Sequence, residues 1–547
     1  MSFEWLNADS RMFLSRGYIS EDITAEQRIA DIANKAEQYL KIEGFADKFF
    51  EYMSYGWYSL SSPIWSNFGL ERGLPISCYG SYVGDSMLDI LDTSREVGMM
   101  SKYGGGTSAY FGDVRPRGAS ITNNGYSEGS VNFMRLFNTL IDVTKQGGTR
   151  RGSFAAYLPI DHADIDEFLQ IKTEGNSIQS LFTGVTVSDE WMQSMVDGDR
   201  DKRKTWAKVL QMRSEIGLPY IFFSDTVNQN APDVYHETGR RINASNLCSE
   251  IALNTSTEES FVCDLSSMNV AKFDEWKDTD AVQTLIFFLD AVMSEFIEKS
   301  EGVPGLERAN RFSKNQRALG LGVLGWHDFL QSKMIPFDSF EASQWNNHIF
   351  RHINQEANTA SSALAAMFEE PLLLKGKGRR NVTLTAIAPT TSSAFILGQT
   401  SPSIEPYRSN YYVRDLAKIK TTIRNPHLKR LLNEKDQNTE SVWKSILENN
   451  GSVQHLEFLT DHEKKVFETF PEMSQLAIVQ QAAQRQKYVD QSQSLNLMIH
   501  PSTPTKEINQ LHIRAWELGV KTLYYQHSVN AAQAFKQNLL DCAACES

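Results

Sequence analysis

The chain has 547 residues, 41% of them hydrophobic and 22% charged, with 33 Gly and 16 Pro; this ordinary globular composition excludes bulk disorder, collagen-like and low-complexity classes. Lys plus Arg is 54 and Asp plus Glu is 67, for a net charge of −13, so the chain lacks the surplus of phosphate-neutralising cations that general nucleic-acid binding needs. Nucleotides as small molecules stay open, and the length fits roughly three to four domains or one large α/β body.

The N-terminus, MSFEWLNADSRMF, has no basic leader and no apolar core, so it does not read as a signal peptide. Thr24-Ala-Glu-Gln27 has the pattern of a capping box, and Ile29, Ile32, Ala33, Ala36 and Leu40 then recur at helical spacing. From Trp57 to Phe111 short β-type runs alternate with Gly-rich turns such as Tyr103-Gly-Gly-Gly106. Residues 127–145 and 189–213 read as helical, and Pro219 to Phe223 as a buried strand. Residues 281–299 and 341–370 read as long helices. Within the first, the apolar run Leu285 to Met293 is too short to span a bilayer and is broken by Asp290. Val382 to Ile387 reads as a strand leading into a Thr/Ser loop. Residues 425–470 are charged and polar, as in a helical excursion on the surface, and the residues after Phe535 read as a mobile tail. Strands alternating with helices predict an α/β sheet or barrel. No membrane partner is expected, and the location expected is cytoplasmic and reducing. Five cysteines in such a chain do not make a disulfide scaffold; each is either buried filler or chemistry.

Asn246-Leu-Cys248-Ser-Glu250 is the first informative cluster. In extended backbone its amide, thiol and carboxylate share one face, a set suited to sulfur chemistry with a general base and an orienting amide. A buried Cys beside a helix start, capped by Asn246, fits the same residues. Cys263 and Cys78, each alone, read equally well as small core residues. Cys542-Ala-Ala-Cys545 stands near the end with no core to join. A CxxC is a redox pair or half of a zinc site; with no second CxxC and no HxxxH, redox chemistry leads. Gly320-Leu-Gly322-Val-Leu-Gly325 is a formal GxGxxG, but it follows no strand and no acidic residue lies in the right place, so these read as packing glycines. The 11 His residues lie without metal-ligand spacing, and no metal site is expected in this chain.

Several motifs, in order, carry a family resemblance: Ser59-Leu-Ser-Ser-Pro-Ile64; Ser77-Cys78 followed by Gly84-Asp85-Ser86; Gln146-Gly-Gly-Thr-Arg-Arg-Gly152; Asn246 to Glu250; Arg317-Ala-Leu-Gly320; Ala388-Pro-Thr-Thr-Ser-Ser393 through Ser403-Ile-Glu-Pro406; Leu523-Tyr-Tyr-Gln526; and the terminal cysteine pair. From about Trp57 onward the chain resembles the large, catalytic (alpha) subunit of class I ribonucleotide reductases. The resemblance implies a ten-stranded α/β barrel with a central finger loop, over residues 57–530. A helical N-terminal segment, 1–56, precedes it and a redox-active tail, 531–547, follows. It implies thiyl-radical reduction of ribonucleoside diphosphates to deoxyribonucleoside diphosphates, the precursors of DNA. Cys78 lies too near the start for an ATP-cone domain to fit beside the helical segment, so a short form without one is expected.

The same resemblance assigns roles. Cys248 matches the thiyl radical cysteine, Glu250 the base on the 3′ hydroxyl, and Asn246 the amide that orients the ribose. Cys78 and Cys263 match the dithiol that supplies two electrons. Cys542 and Cys545 match the tail pair that re-reduces it and is itself reduced by thioredoxin or glutaredoxin; a dithiol on a flexible tail can reach a buried disulfide that a whole protein cannot. Tyr524 and Tyr525 match the tyrosine pair that relays the radical from a small subunit with a dimetal carboxylate site. A cobalamin-dependent relative needs no such pair. Thr390, Thr391, Ser392 and Ser393 match the diphosphate loop, with Ser62 and Ser77. Asp85 and Arg115 match contacts to a dNTP or ATP effector, with Mg accompanying the nucleotides, and Gln146 to Arg150 match the loop coupling effector to substrate. A homodimer is expected.

Overall fold

The computed structural model describes residues 3–20, 22–146, 150–416 and 419–528. Three helices open the chain: α1 (Ala8–Ser15), α2 (Ala25–Leu40) and α3 (Phe45–Ser54). The capping box at Thr24 forms as its sequence predicts, with Thr24 and Gln27 satisfying each other's backbone N–H groups. Ile29, Ile32, Ala33, Ala36 and Leu40 lie on the inner face and are buried. They join the same apolar core as the strands that follow.

Those strands are β1 (Tyr58–Leu60), β2 (Cys78–Tyr82), β3 (Gly106–Tyr110), β4 (Ser153–Pro159), β5 (Leu181–Val187), β6 (Tyr220–Phe223), β7 (Phe261–Asn269), β8 (Leu319–Leu324) and β9 (Thr522–Leu523). They form one nine-stranded sheet. β2 to β6 are parallel neighbours in chain order. β7 runs antiparallel to β2 and carries β8 parallel on its other edge, with β1 antiparallel to its second half. β9 closes antiparallel on β6. β5 and β6 are buried along their whole length, as near-continuous apolar runs in a sheet covered on both faces should be. The helices used below are α4 (Ser62–Asn67), α5 (Met87–Lys102), α6 (Ser130–Val143), α7 (Arg200–Ile216), α8 (Ala281–Ser300), α9 (Thr391–Ile396), α10 (Gln475–Gln486) and α11 (Thr505–Glu517).

Two expectations change in detail. Among the described residues the sheet has nine regular strands rather than ten, and its remaining arc is filled by two irregular segments. One is 382–387, which pairs with β8 and residues 491–494 through the isolated bridges Leu321↔Thr385 and Ile387↔Gln493 and a few further backbone hydrogen bonds rather than a continuous ladder; its hydroxyls are also engaged, Thr383 donating to the Leu319 carbonyl and Thr385 accepting from Asp490 N. The helix expected over 189–213 is two, because Gly198 terminates the first in a left-handed conformation and Asp199 caps the second. Gly320 and Gly322 are packing glycines, as read from the sequence, and lie within β8. A Cβ on Gly320 would sit 2.5 Å from Leu265 Cδ2 and 3.0 Å from Cys263 Sγ, and one on Gly322 would sit 2.6 Å from the Ala386 carbonyl. Both glycines are bare because neighbouring chain fills that space.

Residues 425–470 hold three short helices over 426–434, 440–448 and 461–466, around a small core of their own that includes Leu428, Trp443 and Phe467. Asp290, which breaks the apolar run, is buried on α8 and paired with Arg317 at 2.8 Å and Arg380 at 3.3 Å. No helix among the described residues is long and apolar enough to cross a membrane.

Candidate active site

Cys78 opens β2 and faces Cys263 of β7 directly across the antiparallel ladder. Opposed residues there have Cα atoms about 4.5–5.5 Å apart, inside the roughly 4.4–6.8 Å that a disulfide spans. The two thiols, remote in sequence, are therefore within bonding reach without backbone movement. Both are in the thiol form. Burial pushes the Cys263 thiol well up, opposed by a hydrogen bond from Gln491; Gln491 Nε2 lies 3.3 Å from the sulfur.

Asn246, Cys248 and Glu250 lie on an irregular loop over 240–260, which replaces both the strand and the helix start that the cluster alone allows. The chain turns at 247–249, and Ser249 takes a left-handed conformation, φ 69°, so the alternate-face argument for a strand does not apply. Side chains from elsewhere hold the turn. Tyr157 donates to the Asn246 carbonyl at 2.8 Å, Thr522 to the Ser249 carbonyl at 2.9 Å, and Ser494 to the Cys248 carbonyl at 2.5 Å. Asn246 Nδ2 points at Cys78 Sγ, 3.8 Å away. Glu250 is buried, and desolvation raises its carboxyl to about 7, opposed by hydrogen bonds that include those from Asn246 and Ser494. A thiol, an amide, a carboxyl poised near neutrality and a dithiol thus converge on one buried space.

Tyr524 and Tyr525 follow β9 and pack ring on ring, with centroids 4.3 Å apart. Tyr220, at the start of β6, touches both, at 4.8 and 5.2 Å. Burial and the neighbouring Tyr525 push the Tyr220 hydroxyl well up, and Cys248 is close enough to contribute. Arg213 Nη1 holds the Tyr524 carbonyl at 2.9 Å.

Thr390 precedes α9 in a left-handed conformation, with its hydroxyl accepting from Ser403 N at 2.7 Å. Thr391, Ser392 and Ser393 form the first turn of α9, and Ser59 Oγ ties the Ser393 carbonyl to β1 at 3.1 Å. Ser62 is the buried first residue of α4. Ser77 immediately precedes Cys78, and its carbonyl accepts from Gly106 N. Asp85 and Arg115 meet as an ion pair at 2.9 Å beside the start of α5. Gln146 and Arg150 pair across a short hairpin, whose side chains and residues 147–149 lie outside the described part. Cys542 and Cys545 also lie outside the described residues. Among the described residues no cluster of His, Cys, Asp or Glu could hold a metal ion.

Sequence reading missed Gln491, Ser494, Tyr220 and Arg213. The first two belong to Gln491-Ser-Gln-Ser494, four uncharged polar residues in a row, all buried. Such a run is unusual for a core, and in retrospect it marks a lining that must hydrogen-bond.

Comparison with known proteins shows the family. A family model described as ribonucleotide reductase, barrel domain, matches residues 76–202, 198–373 and 371–526. The chain is 33% identical to the ribonucleoside-diphosphate reductase large subunit of Invertebrate iridescent virus 3, over 97% of each chain. It is 30% identical to the protein of that name from Caenorhabditis elegans, over 88% of this chain and 71% of the other. Among solved structures, the Actinobacillus ureae class Id ribonucleotide reductase alpha subunit superposes with a TM-score of 0.93 at 58% identity, over 99% of each chain.

Proposed function

The chain belongs to the family of class I ribonucleotide reductase large subunits, and from that premise we propose how its residues divide the work. The reaction is reduction of a ribonucleoside diphosphate to the deoxyribonucleoside diphosphate, with the radical supplied by a small subunit. Cys248, as a thiyl radical, takes the 3′ hydrogen atom of the ribose. Glu250 takes the 3′ hydroxyl proton while Asn246 orients the sugar hydroxyls. The 2′ hydroxyl leaves as water with one hydrogen of the Cys78–Cys263 pair as its proton, the other hydrogen goes to C2′, the two electrons of the thiols reduce the sugar as the disulfide closes, and Glu250 returns its proton to the 3′ oxygen. Cys248 then returns its hydrogen atom to C3′ and is again a thiyl radical. Cys263 suits the acid role because burial keeps its sulfur protonated. Glu250 suits the base role because a carboxyl at about 7 is matched to neutral pH. The observation that carries the reading is the cross-strand placement of Cys78 opposite Cys263 beside the Asn246 amide.

Tyr524 and Tyr525 relay the radical to Cys248. The small subunit docks over the groove of about 680 Å³ between α10 and α11, lined by Met473, Leu476, Met498, Ile508 and Leu511. Leu497–Ile499, on its floor, pairs with Gln526–Ser528, next to Tyr525. The subunit dimerises through α5 and α6, which pack on each other and expose Met87, Leu88, Leu91, Leu136 and Val143, large apolar side chains of the kind that gather at interfaces. Asp85 and Arg115 bind a nucleotide effector, Thr390 to Ser393 with Ser62 and Ser77 hold the substrate diphosphate, and Cys542 with Cys545 passes electrons from a thioredoxin-like reductant. The decisive test is single turnover by the pre-reduced protein with its small subunit and no external reductant. In the variant with Cys542→Ser and Cys545→Ser, whose tail cannot re-reduce the pair, product should form with stoichiometric loss of the Cys78 and Cys263 thiols. Cys263→Ser, folded, should give no deoxynucleotide; product at the wild-type yield would refute the dithiol assignment.

A further inference from the structure

We propose that the N-terminal helical segment is a positioning module for the substrate diphosphate, gripping both walls of the cradle formed by Ser62 and by Thr390 to Ser393. The inference rests on the assignment of those residues to the diphosphate.

On the first wall the grip is Arg28 of α2, 1% exposed. Its Nε donates to the Trp65 carbonyl at 2.9 Å, and its Nη2 donates to those of Ile64 at 3.0 Å and Phe68 at 2.7 Å. The guanidinium, still charged at neutral pH although burial lowers it to about 10, is thus spent on the last turn of α4. That end is held from the other side by α8, where Glu295 accepts from Gly69 N and Lys299 donates to the carbonyls of Asn67 and Leu70. α4 has six residues, Ser62 to Asn67, about 9 Å of helix, so fixing its last turn fixes Ser62.

On the second wall the grip is α1 and the residues before it. The Phe13 ring packs on Phe395 of α9 with centroids 5.2 Å apart. Gln399 donates to Asp9 at 3.0 Å. The Trp5 carbonyl approaches Gly398 so closely that a Cβ there would lie 3.0 Å from it, and Trp5 covers the small cluster of Leu324, Ala394 and Leu397. The two walls are joined by the Ser59 hydroxyl on the Ser393 carbonyl. A segment that only covered the core would have no reason to spend a buried cation on three backbone carbonyls of one wall while three further contacts fasten the other.

The test uses the full chain with its small subunit and reductant, CDP as substrate and dATP as effector. Arg28→Met should raise the KM and the dissociation constant for CDP roughly tenfold, the scale on which small misplacements of a binding group are felt. kcat at saturation and the affinity for dATP should stay as in wild type, and Arg28→Lys should recover part of the loss. If Arg28→Met does not fold, the milder pair Asp9→Asn and Phe13→Leu should show the same pattern, smaller in size. A folded variant that loses thermal stability but binds CDP as wild type does overturns the proposal, as does an equal loss of CDP and dATP binding. Ser62→Ala and Thr391→Val separate the two levels: if they leave CDP binding untouched, the cradle itself is misassigned. If they weaken it and Arg28→Met does not, only the positioning role fails.

Discussion

Replacing Glu250 with Gln keeps the shape of the side chain and its bonds to Asn246 and Ser494 while removing the charge. Burial raises this carboxyl from 4.5 to about 7, and such a shift corresponds to about 3 kcal/mol. The sign follows from the neutral form being favoured in the fold. The contribution is fully present below pH 4.5, where folded and unfolded chains are both protonated, and is lost as pH rises through about 7. Above that, the native protein must hold a buried carboxylate that Gln does not impose. Glu250→Gln should therefore match wild type in thermal stability near pH 4.5 and exceed it at pH 8.5. With about 2.1 cal/mol/K of unfolding entropy per residue, 3 kcal/mol corresponds to roughly 2–3 °C. Glu96, also buried and raised to about 7, is present in both proteins and cancels in the difference. Activity should move the other way: wild-type single turnover should rise with pH through about 7, and the variant should lose roughly 10²- to 10⁴-fold, the range of general-base catalysis. A melting-temperature difference that does not change between pH 4.5 and 8.5, or turnover near wild type, would refute the reasoning.

Tyr525→Phe keeps the ring contacts with Tyr524 and Tyr220 and removes the oxidisable hydroxyl; turnover should vanish while CDP and effector still bind, and near-normal activity would mean that the pair only packs. Gly320→Ala places a methyl 3.0 Å from Cys263 Sγ, so disulfide formation in single turnover should slow by about tenfold or more, and an unchanged rate would show that the sulfur has room to shift. Arg317→Met leaves Asp290 with the more distant Arg380 and a hydrogen bond from Asn381, so it should destabilise by about 3 kcal/mol, the cost of breaking a buried pair; a loss under 1 kcal/mol in chemical denaturation would show that Arg380 and Asn381 suffice.

What the sequence offered of the candidate site came through the family resemblance: Asn246 to Glu250, Tyr524-Tyr525 and Thr390 to Ser393 are short strings that, each alone, fit a capping or packing role as well. The capping box and the helical spacing of Ile29 to Leu40 were legible because they are local. What periodicity could not give was everything set by register. Nothing in the spacing of Cys78 and Cys263 places them opposite each other; β2 and β7 are far apart in the chain, and their pairing is decided by the whole sheet. The run 382–387 has the composition of a strand yet forms no continuous ladder, because its neighbours at 491–494 are themselves irregular. Gln491 and Arg213 were invisible for a related reason: each is an unremarkable polar residue until the fold buries it against a sulfur or a carbonyl.

The division between strand and loop in this site has a physical logic. On the proposed chemistry Cys78 and Cys263 join and part on every cycle, and two such thiols are best held by a ladder, which fixes their spacing and leaves only side-chain torsions to move. Cys248, the proposed radical thiol, sits on chain that leaves the sheet, where no ladder satisfies the backbone. Its carbonyls are satisfied one by one: Ser245 by Ser108 of β3, Asn246 by Tyr157 of β4, Cys248 by Ser494, Ser249 by Thr522 of β9, and Glu250 by the backbone of Ser492. Each partner is a hydroxyl or amide on an element of the barrel wall. The loop is therefore tied to the wall at five consecutive or nearly consecutive residues, and Ser249 can keep its left-handed turn because the surroundings over-determine it. The hydroxyls on the strands and the polar strap at 491–494 thus hold the turn that carries Cys248.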